Sequence, residues 1–290
     1  MKLALRDVRY EFPARPLIMG IVNLGADSFS GDGVTDIDAA IDRARQQLAD
    51  GADIIDIGAE SARTNRAPIP EEEEAAQVLR FVEQWEQIEN RESRIENLPP
   101  LLSINTWRPG VVRRVLPRGG DLLNDIGGLP TDENARICAD TGAALLIMHT
   151  LGQPKVAHTH VGYDDIMARL DEFFAEKIAL AERAGVARDA IILDPGIDFA
   201  KQRADNLRIY RELGRLHRFE RPILLPVSRK TVIGEVLGLP HAAERDAGTV
   251  ACIVQGMLRG AHLFRVHNVR AAVQAVRIIE AVEGAASSAP

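Results

Sequence analysis

The sequence predicts an α/β fold, specifically a (β/α)8 TIM barrel with a short N-terminal hairpin extension. Eight short apolar runs, each rich in Ile, Leu and Val, alternate along the 290 residues with longer amphipathic stretches. Continuous apolar runs are typical of parallel strands that are buried on both faces. Eight strand-and-helix units also match the usual barrel length of about 250 residues. A doubly wound sheet is the alternative, but no G-x-G-x-x-G motif follows the first predicted strand.

The predicted elements alternate from residue 17 onwards. The strands cover residues 17–22, 53–57, 101–104, 121–123, 144–148, 190–193, 223–227 and 261–266. The helices cover residues 36–50, 71–90, 108–116, 132–141, 163–184, 203–217, 241–259 and 269–282. We expect residues 1–16 to form a short hairpin that closes the bottom of the barrel. Residues 17–284 would then be a single barrel domain, and residues 285–290 a frayed tail.

Composition and charge exclude several classes of protein. The chain is 46% hydrophobic and 27% charged, which is ordinary for a globular protein and excludes wholesale disorder. Its net charge of −7 argues against a dedicated nucleic-acid binder. No apolar run reaches the roughly 18 residues that a membrane span needs. Cys138 and Cys252 have neither disulfide nor metal spacing, so we expect a cytoplasmic protein.

A polar or charged residue lies at the end of every predicted strand. In a barrel the loops at the carboxyl ends of the strands converge on one mouth, so we expect these residues to form one polar pocket. They are Asn23; Asp56 with Glu60 and Ser61; Asn105; Asn124 with Asp125; His149; Asp194; Ser228, Arg229 and Lys230; and Arg265 with His267.

The residue types divide this pocket into two halves. Asp and Asn side chains offer donors and acceptors that suit a flat heterocycle with amide and amino edges. The basic side chains suit an anion, most naturally a phosphate; they are Arg229, Lys230, Arg265 and His267. The loop over residues 23–33 contains three glycines and is long for its position, so it is either a mobile lid or a flexible surface loop. The sequence shows no zinc-ligand spacing and no nucleophile elbow.

Seven segments resemble dihydropteroate synthase, in that family's order and spacing. They are MGIVNLGADSFSGDG (19–33), GADIIDIGAESAR (51–63), DLLNDIGG (121–128), IMHTLGQP (147–154), ILDPGIDFAK (192–201), VSRKTVIG (227–234) and RVHNV (265–269). The resemblance implies a pterin-binding barrel of folate biosynthesis. Such an enzyme joins 6-hydroxymethyl-7,8-dihydropterin diphosphate to para-aminobenzoate and releases diphosphate.

The resemblance also implies a role for each matching residue. The pterin contacts would be Asp194, Asn124, Lys230 and Asn105. The diphosphate contacts would be Asn23, Arg63, Arg265 and His267. The para-aminobenzoate contacts would be Ser228 and Arg229. The residues with a direct part in the chemistry would be Asn105, Lys230, Asp27 and Arg63, of which Asp27 and Arg63 come from two mobile loops.

The resemblance implies one cofactor and one assembly as well. Asn23 would help to seat Mg²⁺, the expected cofactor. The substrates would be small molecules, with no nucleic-acid or membrane partner, and two copies of the chain would form a homodimer through barrel helices.

The third predicted strand departs from the family pattern. The family reads Ser-Val-Asp-Thr there, whereas residues 103–106 read Ser-Ile-Asn-Thr, so Asn105 replaces a carboxylate. The resemblance implies that the family's aspartate lies beneath the pterin and favours a cationic intermediate. A negative charge about 4 Å from that cation is worth ~4 kcal/mol at an effective dielectric near 20. Asp198 and Ala200 likewise replace two glycines of the family's D-P-G-I-G-F-G-K motif.

Three functions therefore stay open at this point. The first is an active dihydropteroate synthase. The second is a catalytically weakened or non-catalytic pterin-binding paralogue with an altered substrate or a regulatory role. The third is a methyltransferase that uses a methylated pterin, which the intact anion-binding residues disfavour because a methyl donor brings no diphosphate.

Overall fold

In the part of the chain that the structure describes, an antiparallel hairpin and eight parallel strands make up the sheets. The computed structural model describes residues 1–12, 15–25, 36–60, 67–89, 99–152, 154–156 and 161–287. The hairpin strands are β1 (Lys2–Leu5) and β2 (Val8–Glu11). The parallel strands are β3 (Leu17–Asn23), β4 (Ile54–Gly58), β5 (Leu101–Asn105), β6 (Leu122–Asp125), β7 (Ala144–Met148), β8 (Ile191–Asp194), β9 (Leu224–Pro226) and β10 (Leu263–Val266).

The parallel strands close into a barrel. Their order is β8-β7-β6-β5-β4-β3-β10-β9, with each strand hydrogen-bonded to its neighbours. A parallel bridge between Leu193 and Ile223 brings the two ends of this sheet together, and the Leu193 N–H donates to Pro222 O at 2.9 Å. The predicted (β/α)8 barrel is therefore confirmed, and the sheet is not an open, doubly wound one.

The hairpin contacts residues at the amino-terminal end of the barrel strands. The Arg6 guanidinium donates to the backbone carbonyls of Leu116 and Gly120, and the Arg6 backbone N–H donates to Gly142 O at 3.1 Å. Gly120 and Gly142 come just before β6 and β7. The hairpin also buries Leu3 and Leu5 in the core, so the hydrophobic effect holds it against this end of the barrel.

Helices follow the strands along the chain. They are α1 (Ile37–Ala49), α2 (Glu71–Glu89), α3 (Pro109–Val115), α4 (Glu133–Thr141), α5 (Ile166–Arg183), α6 (Arg203–Glu212), α7 (Thr231–Leu237), α8 (Asp246–Leu258) and α9 (Val269–Ser287). Among the described residues, none of these helices is both long and apolar enough to cross a membrane.

The helices differ from the sequence prediction at four places. The sequence analysis missed α7, which it left inside the segment between the predicted strand over 223–227 and the predicted helix over 241–259. That predicted helix begins as a 3₁₀ helix over Ala242–Arg245, and α8 itself begins at Asp246. The predicted helix over 203–217 ends at Glu212 and continues as a 3₁₀ helix over Leu213–Phe219. The last helix continues to Ser287, past residue 284 and into the segment that we expected to be a frayed tail.

The buried strands of the barrel carry a few polar side chains near its mouth. Every residue of β5 and β7 is buried, and most of the side chains are apolar. Strand β5 nevertheless carries Ser103 and Asn105, both on one face because side chains alternate along a strand. Buried polar groups need hydrogen-bond partners, so we expect both side chains to be hydrogen-bonded inside the barrel.

Candidate active site

The carboxylate of Asp56 is the centre of a hydrogen-bonded cluster near the carboxyl ends of four strands. Its Oδ1 accepts from Ser103 Oγ at 2.6 Å and from Asn124 Nδ2 at 3.2 Å. Its Oδ2 accepts from Asn105 Nδ2 at 3.1 Å and from Arg265 Nε at 2.7 Å, and Arg265 Nη2 lies 2.7 Å away as well. We call these five residues the Asp56 cluster. It joins three predicted site residues through a fourth residue to which the sequence analysis gave no role.

Strand pairing explains why these side chains meet. Asp56 on β4 is paired in register with Ser103 on β5, and Asn105 on β5 is paired with Asn124 on β6. Arg265 reaches the same point from β10, which lies on the far side of β3. The cluster is therefore set by the register of the barrel and not by loop conformation.

Asp194 is a second buried carboxylate at the mouth, at the end of β8. Burial raises the pKa of its carboxyl to about 6, although a hydrogen bond from the Gly196 N–H and the positive charges of Lys230, Lys201 and Arg265 act to lower it. These cations are thus close enough to Asp194 to act on its charge. The structure brings together Asp194, Lys230 and Arg265, which sequence analysis placed in one pocket.

The turn after Asp194 depends on Gly196. This glycine has a φ of +68°, and an added Cβ would lie 2.0 Å from His149 O. Only glycine tolerates both the left-handed conformation and this close approach. In this conformation the Gly196 N–H donates a hydrogen bond to Asp194 Oδ1 at 2.7 Å.

Lys230 follows β9 and begins the segment that leads into α7. Its Nζ donates to Ile197 O at 2.9 Å and lies 5.0 Å from the centre of the Phe199 ring. Burial lowers the pKa of the Lys230 ammonium, and the nearby carboxylates of Asp198 and Asp194 oppose that change. Lys230 therefore faces the loop that follows Asp194.

Asp198 holds that loop against the start of α7. Its carboxylate accepts hydrogen bonds from the backbone N–H groups of Thr231 (2.5 Å) and Val232 (3.3 Å), and from Asn206 Nδ2 (3.2 Å). Asp198 does so with a φ of +70°, a conformation that favours glycine. The carboxylate that replaces a family glycine thus caps the helix next to Lys230.

Ser228 and His267 form a pair beyond the carboxyl ends of β9 and β10. Ser228 Oγ accepts from the His267 backbone N–H at 3.1 Å and lies 2.7 Å from His267 Nδ1. Arg229, in contrast, turns towards α8, where its guanidinium forms two hydrogen bonds with Asp246 at 2.7 and 3.1 Å. Ser228, a predicted aminobenzoate contact, is therefore hydrogen-bonded to His267, a predicted diphosphate contact. Arg229, the other predicted aminobenzoate contact, is paired with Asp246.

Lys201 and His149 form a buried pair that the sequence analysis did not join. Lys201 Nζ lies 2.8 Å from His149 Nδ1 and donates to Phe199 O at 2.9 Å. Burial lowers the pKa of Lys201 to about 7 and that of His149 to about 2. The sequence analysis listed His149 only among the strand-end residues. Lys201 lies seven residues beyond its strand, so no strand-end signal marked it.

The remaining predicted site residues concern the anion and the metal. Asn23 is the last residue of β3 and is partly exposed. Asp27 and Arg63 lie outside the described residues. Within the described ranges, no three His, Cys, Asp or Glu side chains converge as the ligands of a metal ion would.

Comparison with known proteins identifies the family of the chain. The profile of the family described as "Pterin binding enzyme" matches residues 19–267. Dihydropteroate synthase of Escherichia coli (strain K12) is 36% identical over 269 residues, or 92% of either chain.

Solved structures of dihydropteroate synthases have the same fold as this chain. A Yersinia pestis dihydropteroate synthase with a sulfonamide drug superposes with a TM-score of 0.88 at 36% identity, covering 98% of this chain and 100% of that one. Dihydropteroate synthase from Thermus thermophilus in complex with 6HMPPP has a TM-score of 0.82 at 32% identity, covering 97% and 100%. The fold, the family match and the identity to these relatives show that this chain belongs to the pterin-binding enzymes, as a member of the dihydropteroate synthase family.

Proposed function

We propose that the chain is a transferase of folate biosynthesis that condenses 6-hydroxymethyl-7,8-dihydropterin diphosphate with para-aminobenzoate, giving 7,8-dihydropteroate and diphosphate. The observation that carries this proposal is that burial raises the pKa of the Asp194 carboxyl while the positive charges of Lys230 and Arg265 act on this carboxyl to lower it. A planar ring with a polyanionic tail needs both kinds of group in one pocket. The relatives support the same activity, and no observation in the described residues favours a non-catalytic paralogue.

The pterin ring would bind on the side of Asp194 and Asn124. At neutral pH a carboxyl with a pKa of about 6 is mostly ionised, so Asp194 can accept hydrogen bonds from ring N–H groups. In the described part of the chain no donor reaches Asn124 Oδ1, although that oxygen is buried. A buried acceptor without a donor is costly, so a ligand N–H is the natural partner. Lys230 would donate to the carbonyl of the ring.

The diphosphate would bind on the side of Arg265 and His267, and the family resemblance adds Arg63 as a further contact. Asn23 offers one amide oxygen, a hard donor that suits Mg²⁺. Since Mg²⁺ in phosphate sites is held by one or two side chains together with substrate oxygens, Asn23 and the diphosphate fit this ion. When bound, Mg²⁺ would neutralise charge that develops on the leaving group.

The second substrate would enter beside Ser228 and Lys230. Ser228 is the better placed of the two predicted aminobenzoate contacts, because its hydroxyl lies against His267 while Arg229 is engaged by Asp246. Phe199 lies next to Lys230 and offers an aromatic face for the ring of the arylamine.

The chemistry needs no nucleophile from the protein. The bond between the methylene carbon and the diphosphate breaks, and its electron pair leaves with the diphosphate. The resulting positive charge spreads over the dihydropterin, where the buried carboxylate of Asp194 stabilises it. The amine of para-aminobenzoate then forms the new C–N bond and releases a proton.

We also propose that the chain forms a cytoplasmic homodimer through its last three helices. Leu258 on α8 and Ile278 on α9 have 59% and 65% of their surface exposed, and α8 packs against α9. Leu237 on α7 is also half exposed. Large apolar side chains on neighbouring helices suit a surface that a second copy covers. Light scattering should therefore give twice the monomer mass, and a charged residue at Ile278 should reduce it to that of the monomer.

A turnover assay tests the proposed activity. Purified protein is mixed with the pterin diphosphate and Mg²⁺, and diphosphate release is followed with and without para-aminobenzoate. We expect release that depends on the arylamine, together with dihydropteroate in a mass spectrum. The variant Lys230→Met, which keeps a long side chain but removes its charge, should lose this activity. Tight pterin binding without release at high enzyme concentration would contradict the proposal and favour a pterin-binding paralogue.

A further inference from the structure

Asp56 accepts hydrogen bonds from four side chains, none of which belongs to its own strand, β4. Its donors come from three other strands: Ser103 and Asn105 from β5, Asn124 from β6 and Arg265 from β10. The Asp56 side chain is fully buried. A buried ion pair is weak evidence for stability, since an apolar side chain of similar size often serves as well. A cluster of this kind at the mouth of a barrel therefore calls for another explanation.

The chemistry of the carboxylate decides how the two amides are oriented. An ionised carboxylate only accepts hydrogen bonds, whereas an asparagine side chain has an NH₂ donor at one end and an oxygen acceptor at the other. Asn105 and Asn124 must each turn the NH₂ group towards Asp56, as the distances of 3.1 and 3.2 Å show. Their Oδ1 atoms are then directed away from Asp56, and Asn124 Oδ1 is the buried acceptor that no donor in the described chain reaches.

The same carboxylate fixes the guanidinium of Arg265. Both Nε and Nη2 lie 2.7 Å from Asp56 Oδ2, so this edge of the guanidinium is held inside the barrel. Asp56 does not engage Nη1, so this nitrogen is the one that can donate to an anion. One buried group thus sets the orientation of a predicted pterin contact and a predicted diphosphate contact.

We propose that Asp56 is a positioning residue: by accepting from Asn105, Asn124 and Arg265 it presents two amide oxygens to the N–H groups of the pterin and one edge of a guanidinium to the diphosphate. This role rests on the proposed function. In this role the fully buried Asp56 acts through these side chains and not through contact with the substrate. It acts by excluding the flipped amide orientation, in which NH₂ groups would meet ring N–H groups and repel them.

The test compares Asp56→Asn with Asp53→Asn as a matched control. Asp53 is also buried beside β4 and also pairs with an arginine, Arg15, but at the opposite end of the barrel. Binding of 6-hydroxymethylpterin and of its diphosphate is measured by calorimetry, with a thermal melt for each protein. We expect Asp56→Asn to weaken binding of the pterin about 10- to 100-fold, and Asp53→Asn to change only the melting temperature.

Two further variants separate positioning from a merely structural role. In a background of Asn124→Ala, Asp56→Asn should cost much less affinity than it does alone, because the amide it orients is gone. Asp56→Glu keeps the negative charge but displaces its oxygens by one methylene, so it too should weaken pterin binding. It also provides the test if Asp56→Asn does not fold.

The outcomes are distinct. If the wild-type chain binds pterin and the folded Asp56 variants bind it equally well, the positioning role is overturned and the proposed function stands. Full additivity of Asp56→Asn and Asn124→Ala would overturn it in the same way. If the wild-type chain binds neither ligand, the proposed function fails, and the role of Asp56 fails with it.

Discussion

Asn105 Nδ2 lies 3.1 Å from Asp56 Oδ2, so the amide that replaces a family carboxylate is a hydrogen-bond donor to another carboxylate. An aspartate at this position would place two negative groups in contact. Arg265 is the cation that would have to compensate both, and it already pairs with Asp56. The neutral amide therefore keeps the cluster balanced at one negative and one positive charge, at the expense of a charge beneath the pterin.

The variant Asn105→Asp tests the catalytic cost of this balance. A second carboxylate beneath the ring should favour the cationic intermediate, and the upper limit of ~4 kcal/mol corresponds to about 10³-fold in rate. We expect kcat to rise and the free energy of unfolding to fall, because the two carboxylates repel each other. Steady-state kinetics and urea denaturation measure the two effects. Asn105→Ala is the control, since it removes the amide without adding charge and should lower kcat; a lower kcat in Asn105→Asp as well would contradict the explanation.

Ligand binding should depend on pH through Asp194. Its carboxyl has a pKa of about 6 and must be ionised to accept from the ring. Affinity for a pterin without the diphosphate should therefore be constant above about pH 7 and fall up to tenfold per pH unit below about pH 6. Calorimetry between pH 5 and pH 8 measures this. The Asp194→Asn variant should bind weakly and without this pH dependence; an unchanged pH profile in that variant would assign the titration to another group.

Stability should depend on pH through Lys201. Its pKa is lowered from 10.5 in a model compound to about 7 by burial, so the unfolded chain binds more protons than the folded chain between these values. The sign is then fixed: the contribution of Lys201 to the free energy of unfolding rises with pH, by about 1 kcal/mol per unit from pH 7 upwards. Urea denaturation at pH 7, 8 and 9 measures the slope. Lys201→Met should flatten it, and an equal slope in both proteins would exclude Lys201 as its source.

Asp198 should stabilise α7 while its own backbone is strained. Removing the carboxylate costs a helix cap, about 1 kcal/mol, but a glycine at φ +70° recovers about 1–2 kcal/mol of strain. We therefore expect Asp198→Ala to be clearly destabilised and Asp198→Gly to lie near the wild type. Chemical denaturation of the three proteins gives the comparison. Equal destabilisation of both variants would show that backbone conformation plays no part.

The strand ends were the part of the site that the sequence predicted best. Asp194, Asn124 and Arg265 end or nearly end buried strands, and the barrel necessarily brings such positions to one mouth. Their pairing partners were not predictable in the same way. The link between Asp56 on β4 and Arg265 on β10 depends on the shear of the closed barrel, which no local pattern in the sequence reveals.

Loop residues were predicted less well for a physical reason. Lys201 and Asp198 act through a turn whose course depends on Gly196 and on contacts with His149 and α7. The sequence showed only that Asp198 replaces a glycine; its function as a cap depends on α7, a helix that the sequence analysis missed. Arg229 was grouped with Lys230 by adjacency, but the positive φ of Arg229 (+54°) turns its side chain to Asp246 instead.

The central claim is that one flank of the mouth binds a planar ring and the other binds its anionic tail. A calorimetric titration of 6-hydroxymethylpterin and of its diphosphate into Asp194→Asn and His267→Ala tests it most directly. We predict that Asp194→Asn weakens both ligands by a similar factor, whereas His267→Ala weakens only the diphosphate. If His267→Ala weakened both ligands equally, or if Asp194→Asn left the affinity for the pterin unchanged, the two-flank account would be contradicted.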